Sequence, residues 1–254
     1  MSQTVQLIVQ GRVATLTINR PPVNALDTET LRAISGALKT VEKDENIGAV
    51  VIRSGIEKGF SAGVDIKEHA DPGKVYNLLN EFERAVRTIL ASPKPVVAAV
   101  KGFCMGGGME LVTVCDLVVA GRDASFGQPE ITLAHYPPLA AALLPLVIGL
   151  RNTYKLLLTG ETISADEAHR LGLVTHLVDD EDVEKKASQL ASSLSERSGA
   201  AIALAKRALA ATIGAERLLD TAFSHYYQEL LATEDNWEGL KAFLEKRSPV
   251  WKHR

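Results

Sequence analysis

The chain has 254 residues, with 28 Lys and Arg against 31 Asp and Glu, for a formal net charge of −3. That length holds one large domain, or a domain with an appendage, and buries roughly 70–75% of its unfolded surface without staples. The mild acidity argues against a general nucleic-acid binder, which is usually basic overall. Two cysteines, Cys104 and Cys115, make neither a disulfide framework nor a zinc pattern, and read as buried free thiols. The first residues carry no basic flank and no long apolar run, so neither a signal nor a transit peptide is expected. No apolar stretch has membrane-spanning length. The longest, residues 137–150, contains three prolines and reads as a buried segment. These features point to a soluble, reducing, cytoplasmic setting.

Residues 5–9 and 13–18 are β-rich runs around Gln10-Gly11-Arg12, the pattern of a hairpin. After Asp27, the spacing of Leu31, Ile34, Leu38 and Val41 gives one face of a helix. Residues 49–52 are a continuous apolar run, suited to a buried strand. A loop rich in glycine follows, with Gly55, Gly59 and Gly63. A helix is expected over 75–90, with Leu78, Leu79, Phe82, Val86 and Ile89 inward. Residues 95–100 read as a second buried strand, leading into Gly106-Gly107-Gly108 and a short apolar helix ending near Cys115. A strand is expected again over 117–120. This alternation argues for an α/β layer architecture. Ser164 and Glu167 form a capping box for a helix stopping at Gly172. Helical periodicity then covers 181–194, 200–211, 215–231 and 234–246, so the last hundred residues read as almost wholly helical.

Two glycine turns follow two buried strands: Phe60-Ser61-Ala62-Gly63-Val64-Asp65 and Gly102-Phe103-Cys104-Met105-Gly106-Gly107-Gly108. Glycines at a helix start expose N–H groups at the positive end of the helix dipole, which suits an oxygen that becomes negative. A phosphate loop is disfavoured, because no Gly-Lys-Ser/Thr follows and the G-x-G-x-x-G spacing is absent. Either turn could be purely structural. An oxyanion hole needs N–H donors converging from separate segments, and two such segments are present.

Glu110 sits two residues past Gly108 among Met109, Leu111, Val112 and Val114. It is either an acid favoured by the helix dipole or a carboxylate buried at a cavity, where burial raises its pKa. Glu130, in Gln128-Pro129-Glu130-Ile131, is either a loop surface acid or its partner. Together they make a carboxylate pair that can take a proton from water and give one to carbon, the equipment for adding water across a conjugated double bond. No G-x-S-x-G competes, and the six histidines are scattered. His135, five residues past Glu130, is the one histidine near enough to the pair in sequence to be a candidate for substrate contact; a purely structural role is the other reading.

These motifs resemble the enoyl-CoA hydratase/isomerase, or crotonase, superfamily. The resemblance rests on residues 60–68, 106–111 and 127–131, and extends through Asn24-Ala25-Leu26, Leu158-Thr159-Gly160, residues 168–174 and residues 242–247. It implies an α/β spiral of ββα units with a helical C-terminal region. Residues 1–190 would be the core, and residues 191–254 the trimerisation and CoA-covering region. It implies a homotrimer or homohexamer, an acyl-CoA thioester as substrate, and no cofactor, metal, nucleic-acid or membrane partner. By this match the N–H groups of Val64 and Gly107 hold the thioester oxygen. Glu110 activates water and Glu130 handles the α-carbon proton. Ala62, Asp65 and Ile66 line the adenine site, and Phe243 and Lys246 meet CoA from the last helix. Ile66, His135, Tyr136 and Leu139 are the expected acyl-pocket residues. Where many hydratases carry a P-G-x-G-G-T turn, this chain has Pro137-Pro138-Leu139-Ala140-Ala141-Ala142. The paired prolines resemble the cyclohexa-1,5-diene-1-carbonyl-CoA hydratases. Retention of both glutamates favours a hydratase over an isomerase or another CoA lyase. It also speaks against a non-catalytic CoA- or RNA-binding relative.

Overall fold

The structure is a computed structural model and describes residues 4–254. The chain opens with the hairpin β1 (Val5–Gln10) and β2 (Val13–Ile18). Next come α1 (Thr28–Lys43), β3 (Ala49–Ser54), β4 (Gly59–Ser61), the single turn α2 (Ile66–His69) and α3 (Val75–Ala91). The pattern repeats with β5 (Val96–Val100), β6 (Phe103–Met105) and α4 (Gly107–Thr113), then with β7 (Leu117–Gly121), β8 (Ser125–Gly127), a 3₁₀ turn (Pro129–Leu133) and α5 (Pro138–Ile148). The rest comprises α6 (Leu150–Thr159), β9 (Thr162–Ser164), α7 (Ala165–Leu171), β10 (His176–Val178), α8 (Val183–Ser195), α9 (Gly199–Ile213), α10 (Ala215–Gln228) and α11 (Glu234–Leu244).

Two sheets result, ordered β1-β2-β3-β5-β7-β10 and β4-β6-β8-β9. The strands β3, β5 and β7 are parallel neighbours in the large sheet, and β4, β6 and β8 are parallel neighbours in the small one. Each ββα unit thus adds one strand to each sheet, and the chain advances as the spiral expected from the resemblance. The continuous apolar runs have a simple cause. In a parallel sheet covered on both faces, neither side of a strand meets water. Val50, Ile52, Val96, Ala98 and Val100 face the main core, which includes α1 and α3. Their alternating neighbours Ala49, Val51, Val97 and Ala99 pack on Val183, Ala187 and Ala191 of α8. Residue 190 therefore lies inside a helix that covers the sheet, and a cut there would divide α8.

The expected helices form, with ends set by local chemistry. Asp27 caps α1 by accepting from the Thr30 N–H at 2.8 Å. Ser164 caps α7, and Gly172 ends it in a left-handed conformation. Here Glu167 pairs with Arg170 rather than completing the reciprocal half of a capping box. The last helix stops two residues before the expected 246. Lys246 takes a positive φ, while the N–H groups of Lys246 and Arg247 bond the Phe243 and Ala242 carbonyls, a Schellman closure. The 137–150 segment is a helix rather than wholly buried, since Leu146, Val147 and Leu150 are exposed. The last hundred residues are mostly helical, as expected, with the three-residue strands β9 and β10 among the helices. Both thiols are free, with Cys104 buried and Cys115 partly so. No helix among the described residues is long and apolar enough to cross a membrane.

Asn24 joins the layers. It is fully buried in a left-handed conformation. Its amide nitrogen reaches the Ile18 carbonyl, Ser54 Oγ and the Phe60 carbonyl at 2.9–3.0 Å, and its oxygen accepts from the Arg20 N–H. Removing it strands several buried groups, each worth about 1–3 kcal/mol when unsatisfied. Asn24→Ala is expected to lower unfolding stability by about 2–4 kcal/mol in a urea titration, and a loss under 0.5 kcal/mol would contradict this role.

Candidate active site

The site begins where two main chains meet. Residues 23–26 run beside residues 62–65: the Leu26 N–H donates to the Gly63 carbonyl at 2.8 Å, and the Asp65 N–H donates to the Leu26 carbonyl at 3.0 Å. In such a parallel bridge the N–H of Val64 points away from Leu26. On that other side lies Gly107. A Cβ built on Gly107 would lie 3.4 Å from the Val64 nitrogen, and one on Gly63 would lie 3.2 Å from the Gly107 nitrogen. Gly107 is the first residue of α4, where N–H groups lack an intrahelical partner. Gly106 makes the approach possible with φ 52° and ψ −129°, which a side chain strongly disfavours. A Cβ there would also lie 2.7 Å from Glu130 Oε1.

An ion-pair cluster braces the first segment. Arg20 binds Asp27 and Asp65 at 2.9 Å each. Asp65 also caps α2 by accepting from Lys67 and Glu68. Its carboxylate is thus committed to holding the turn. Its main chain is bonded on both sides: the N–H donates to the Leu26 carbonyl, and the carbonyl accepts from the His69 N–H at 2.9 Å. Ala62 is exposed and Ile66 half-buried beside it.

Glu110 points from α4 to the start of α5. It is 3% exposed, and its Oε1 accepts from the N–H groups of Leu139 at 2.8 Å and Ala140 at 3.1 Å. Neither Pro137 nor Pro138 can donate, so these are the first amides available at that end. Glu110 serves as the cap that α5 lacks locally. Burial pushes its pKa up from 4.5 to about 7, against the two amide bonds, which lower it. Glu130 is half-buried across from Gly106. Burial, then the Glu110 charge, raises its pKa well above the usual range. The fully buried Gln128 faces both Glu130 oxygens at 3.2 and 3.1 Å once its amide nitrogen is turned toward them. Glu110, stabilised by two amides at a helix N-terminus, is the carboxylate better able to carry charge, and Glu130 the one that keeps a proton.

The other expected contacts divide. Leu139 is fully buried and acts on Glu110 through its main chain. Tyr136 donates its hydroxyl to the Ala222 carbonyl at 2.9 Å and lines a cleft of 620 Å³ between α5 and α10 with Ala141, Leu218 and Leu230. Neither glutamate lines that cleft. His135 is 2% exposed, and its N–H bonds the Glu130 carbonyl at 3.0 Å. Phe243 and Lys246 are exposed at the end of α11. Sequence reading missed Gln128, His69, Tyr226 and Asn236, all buried around the turn that follows Glu130. Gln128 stood in a quoted motif, but the other three come from distant elements.

The main chain of Val64 and Gly107 thus comes together beside the buried Glu110 and the half-buried Glu130, whose charges are coupled. The comparisons agree. Residues 9–254 match the family model described as enoyl-CoA hydratase/isomerase. A probable enoyl-CoA hydratase of Rhizobium meliloti is 37% identical over 99% of each chain. The short-chain-enoyl-CoA hydratase of Clostridium acetobutylicum is 34% identical over 94% of this chain and 93% of its own. The crystal structure of an enoyl-CoA hydratase/isomerase from Pseudoalteromonas atlantica superposes with a TM-score of 0.88 at 27% identity, covering 98% of this chain and all of that one. The chain belongs to the enoyl-CoA hydratase/isomerase family. It is an enzyme of the hydro-lyase type on the crotonase fold.

The raised carboxylate pKa sets a stability test. Between pH 4.5 and about 7 the native Glu110 holds a proton that the unfolded chain has released, so stability falls as pH rises through that window. Glu110→Gln keeps an acceptor for both amides and removes the charge. It is expected to unfold several degrees above wild type at pH 8, a gain of at most about 3 kcal/mol that fades below pH 5. Equal melting temperatures at pH 8 would show that Glu110 carries no buried charge.

Proposed function

We propose that the protein adds water to an α,β-unsaturated acyl-CoA thioester. The observation carrying this reading is the juxtaposition of the Val64 and Gly107 main chain with Glu110 and Glu130: a Cβ added at Gly107 would lie 3.4 Å from the Val64 nitrogen, and one added at Gly63 would lie 3.2 Å from the Gly107 nitrogen. In the proposed reaction the thioester oxygen lies between the two N–H groups. Ionised Glu110 takes a proton from water, and the water oxygen bonds to the β-carbon. The displaced π electrons move to the thioester oxygen, where two fixed dipoles oppose the growing charge. As the carbonyl re-forms, the α-carbon takes the proton of Glu130. The product is a 3-hydroxyacyl-CoA, and proton exchange restores the two acids. No electrons leave the substrate, so the proposal needs no cofactor beyond the CoA it carries.

CoA is placed along the main chain of Ala62, Asp65 and Ile66, with Phe243 and Lys246 over it. Lys246 supports this. It occupies a left-handed position that glycine would fill with less strain, and its side chain is exposed. A homotrimer or homohexamer in the cytoplasm completes the proposal. α9 supports the assembly, because it buries none of its residues and exposes Leu204, Leu209 and Ile213. The acyl group we place here is short or cyclic: a curated relative is named for short-chain substrates, and Pro137-Pro138 supports a cyclic dienoyl ester.

The test is turnover of crotonyl-CoA and cyclohexa-1,5-diene-1-carbonyl-CoA, followed by loss of enoyl absorbance and gain of one water in product mass. A product of unchanged mass would replace hydration by isomerisation. Glu110→Gln and Glu130→Gln are each expected to lower kcat by about 10²–10⁴-fold with little change in binding of a product-like thioester. A wild-type rate in either variant removes that residue from the mechanism. The acid limb of the wild-type kcat/KM profile is expected near pH 7, where Glu110 protonates and ceases to be a base.

A further inference from the structure

Behind Glu130 lies a polar cluster that the hydration chemistry does not use. Four elements meet there: α2, continuing from Val64 and Asp65; the turn that carries Glu130 and His135; α10; and α11. His69, His135, Tyr226 and Asn236 point into the meeting place, and each is at least 95% buried. The His69 and His135 rings touch edge to face with centroids 4.6 Å apart. The Tyr226 hydroxyl and His69 Nε2 are 2.9 Å apart and satisfy one another. Burial raises the Tyr226 hydroxyl pKa, and the charges of Glu130 and then Glu110 raise it further, which places the cluster within electrostatic reach of the acid pair.

Three buried atoms in the cluster have no hydrogen-bond partner among the described residues: His135 Nε2, Asn236 Nδ2 and Asn236 Oδ1. Their chemistry is fixed by what surrounds them. His135 Nδ1 lies 2.6 Å from the Leu133 carbonyl, which can only accept, so Nδ1 bears the proton. Burial holds the ring neutral, with a pKa of about 4, against the opposing influences of the Leu133 carbonyl and Asn236. His135 Nε2 is therefore a bare acceptor. Asn236 lies beside it without a hydrogen bond of good geometry, offering two donors and an acceptor. A neutral acceptor next to an amide donor, with no cation at hand, matches one simple group. A hydroxyl can donate to Nε2 while accepting from Nδ2. A carboxylate would meet the Nε2 lone pair, and an alkyl end would leave all three atoms unsatisfied at about 1–3 kcal/mol each.

We propose that His135 and Asn236 form a hydroxyl-recognition subsite for the acyl group, so that the preferred enoyl-CoA carries a hydroxyl remote from the thioester. This rests on the hydratase reading above and names its substrate class. The experiment measures kcat/KM of the wild-type enzyme for matched pairs of trans-2-enoyl-CoA esters, four to eight carbons long, with and without a terminal hydroxyl. At least one hydroxylated ester is expected to exceed its plain partner by about tenfold or more, chiefly through KM. Asn236→Leu is expected to bring that ratio toward one. Plain esters hydrated as well as hydroxylated ones at every length would mean that the cluster binds water only, and would overturn the subsite while leaving the hydratase reading intact. No hydration of any ester would overturn that reading itself. A variant that lowers both rates by one factor would mark Asn236 as structural and also overturn the subsite.

Discussion

The site depends on two stretches of main chain lying against each other with no side chain between them. Val64 N–H is turned outward because Leu26 occupies the opposite edge of its segment, and Gly107 N–H is free because it opens a helix. A side chain at Gly106 would be strained at φ 52° and would meet Glu130 Oε1 at 2.7 Å, and one at Gly107 would press on Phe82 and Val64 at 3.1 Å. Everything nearby maintains that approach. Asn24 stitches β2, β3 and β4 together, Arg20 ties Asp27 to Asp65, and Ser61 Oγ donates to the Asn24 carbonyl at 2.7 Å. The spiral supplies the rest: β4 and β6 are adjacent parallel strands, so the turns leaving them at residues 62–64 and 106–108 come out at the same level.

A second constraint is the handling of negative charge. A carboxylate shut away from water is unfavourable unless something replaces its hydration. Glu110 finds that replacement in the amides of α5, which in turn have no cap of their own. One interaction satisfies a helix end and fixes the orientation of a carboxylate. Glu130 has no such pair of main-chain donors and feels the Glu110 charge, so the two acids are driven to different protonation states. The same burial that would make one a base and the other an acid works against folding stability at neutral pH, a familiar opposition between activity and stability.

Most of the long elements could be read from sequence, because α1, α3 and the buried strands carry strong apolar periodicity over many residues. The strands β4, β6 and β8 could not. At three residues each, they are shorter than the window in which alternation shows, and two of them contain glycine. Yet they set the geometry of the site, since they bring Gly63 next to Gly106. The glycine turns and both glutamates were legible as chemistry, and their convergence was not, because residues 64, 107, 110 and 130 meet only through sheet order. Tyr136 gave no hint in sequence of its tie to α10, where its hydroxyl donates to the Ala222 carbonyl across 86 residues of chain. His69, Tyr226 and Asn236 had no local signal. They come together only when the last two helices fold back onto the turn after Glu130.

The paired prolines now have a physical reading that family likeness alone did not supply. A glycine-rich turn ahead of α5 would offer extra amides. Pro137 and Pro138 offer none, yet Glu110 loses nothing essential, because its donors are the second and third residues of the helix. Rigid φ angles at the first positions instead hold the start of α5 in place, and with it the two amides that orient Glu110. The departure from the family pattern therefore leaves the two amides that hold Glu110 in place. Under the reading proposed above, the acid–base pair is kept while the neighbouring cluster of His135 and Asn236 sets the acyl group accepted.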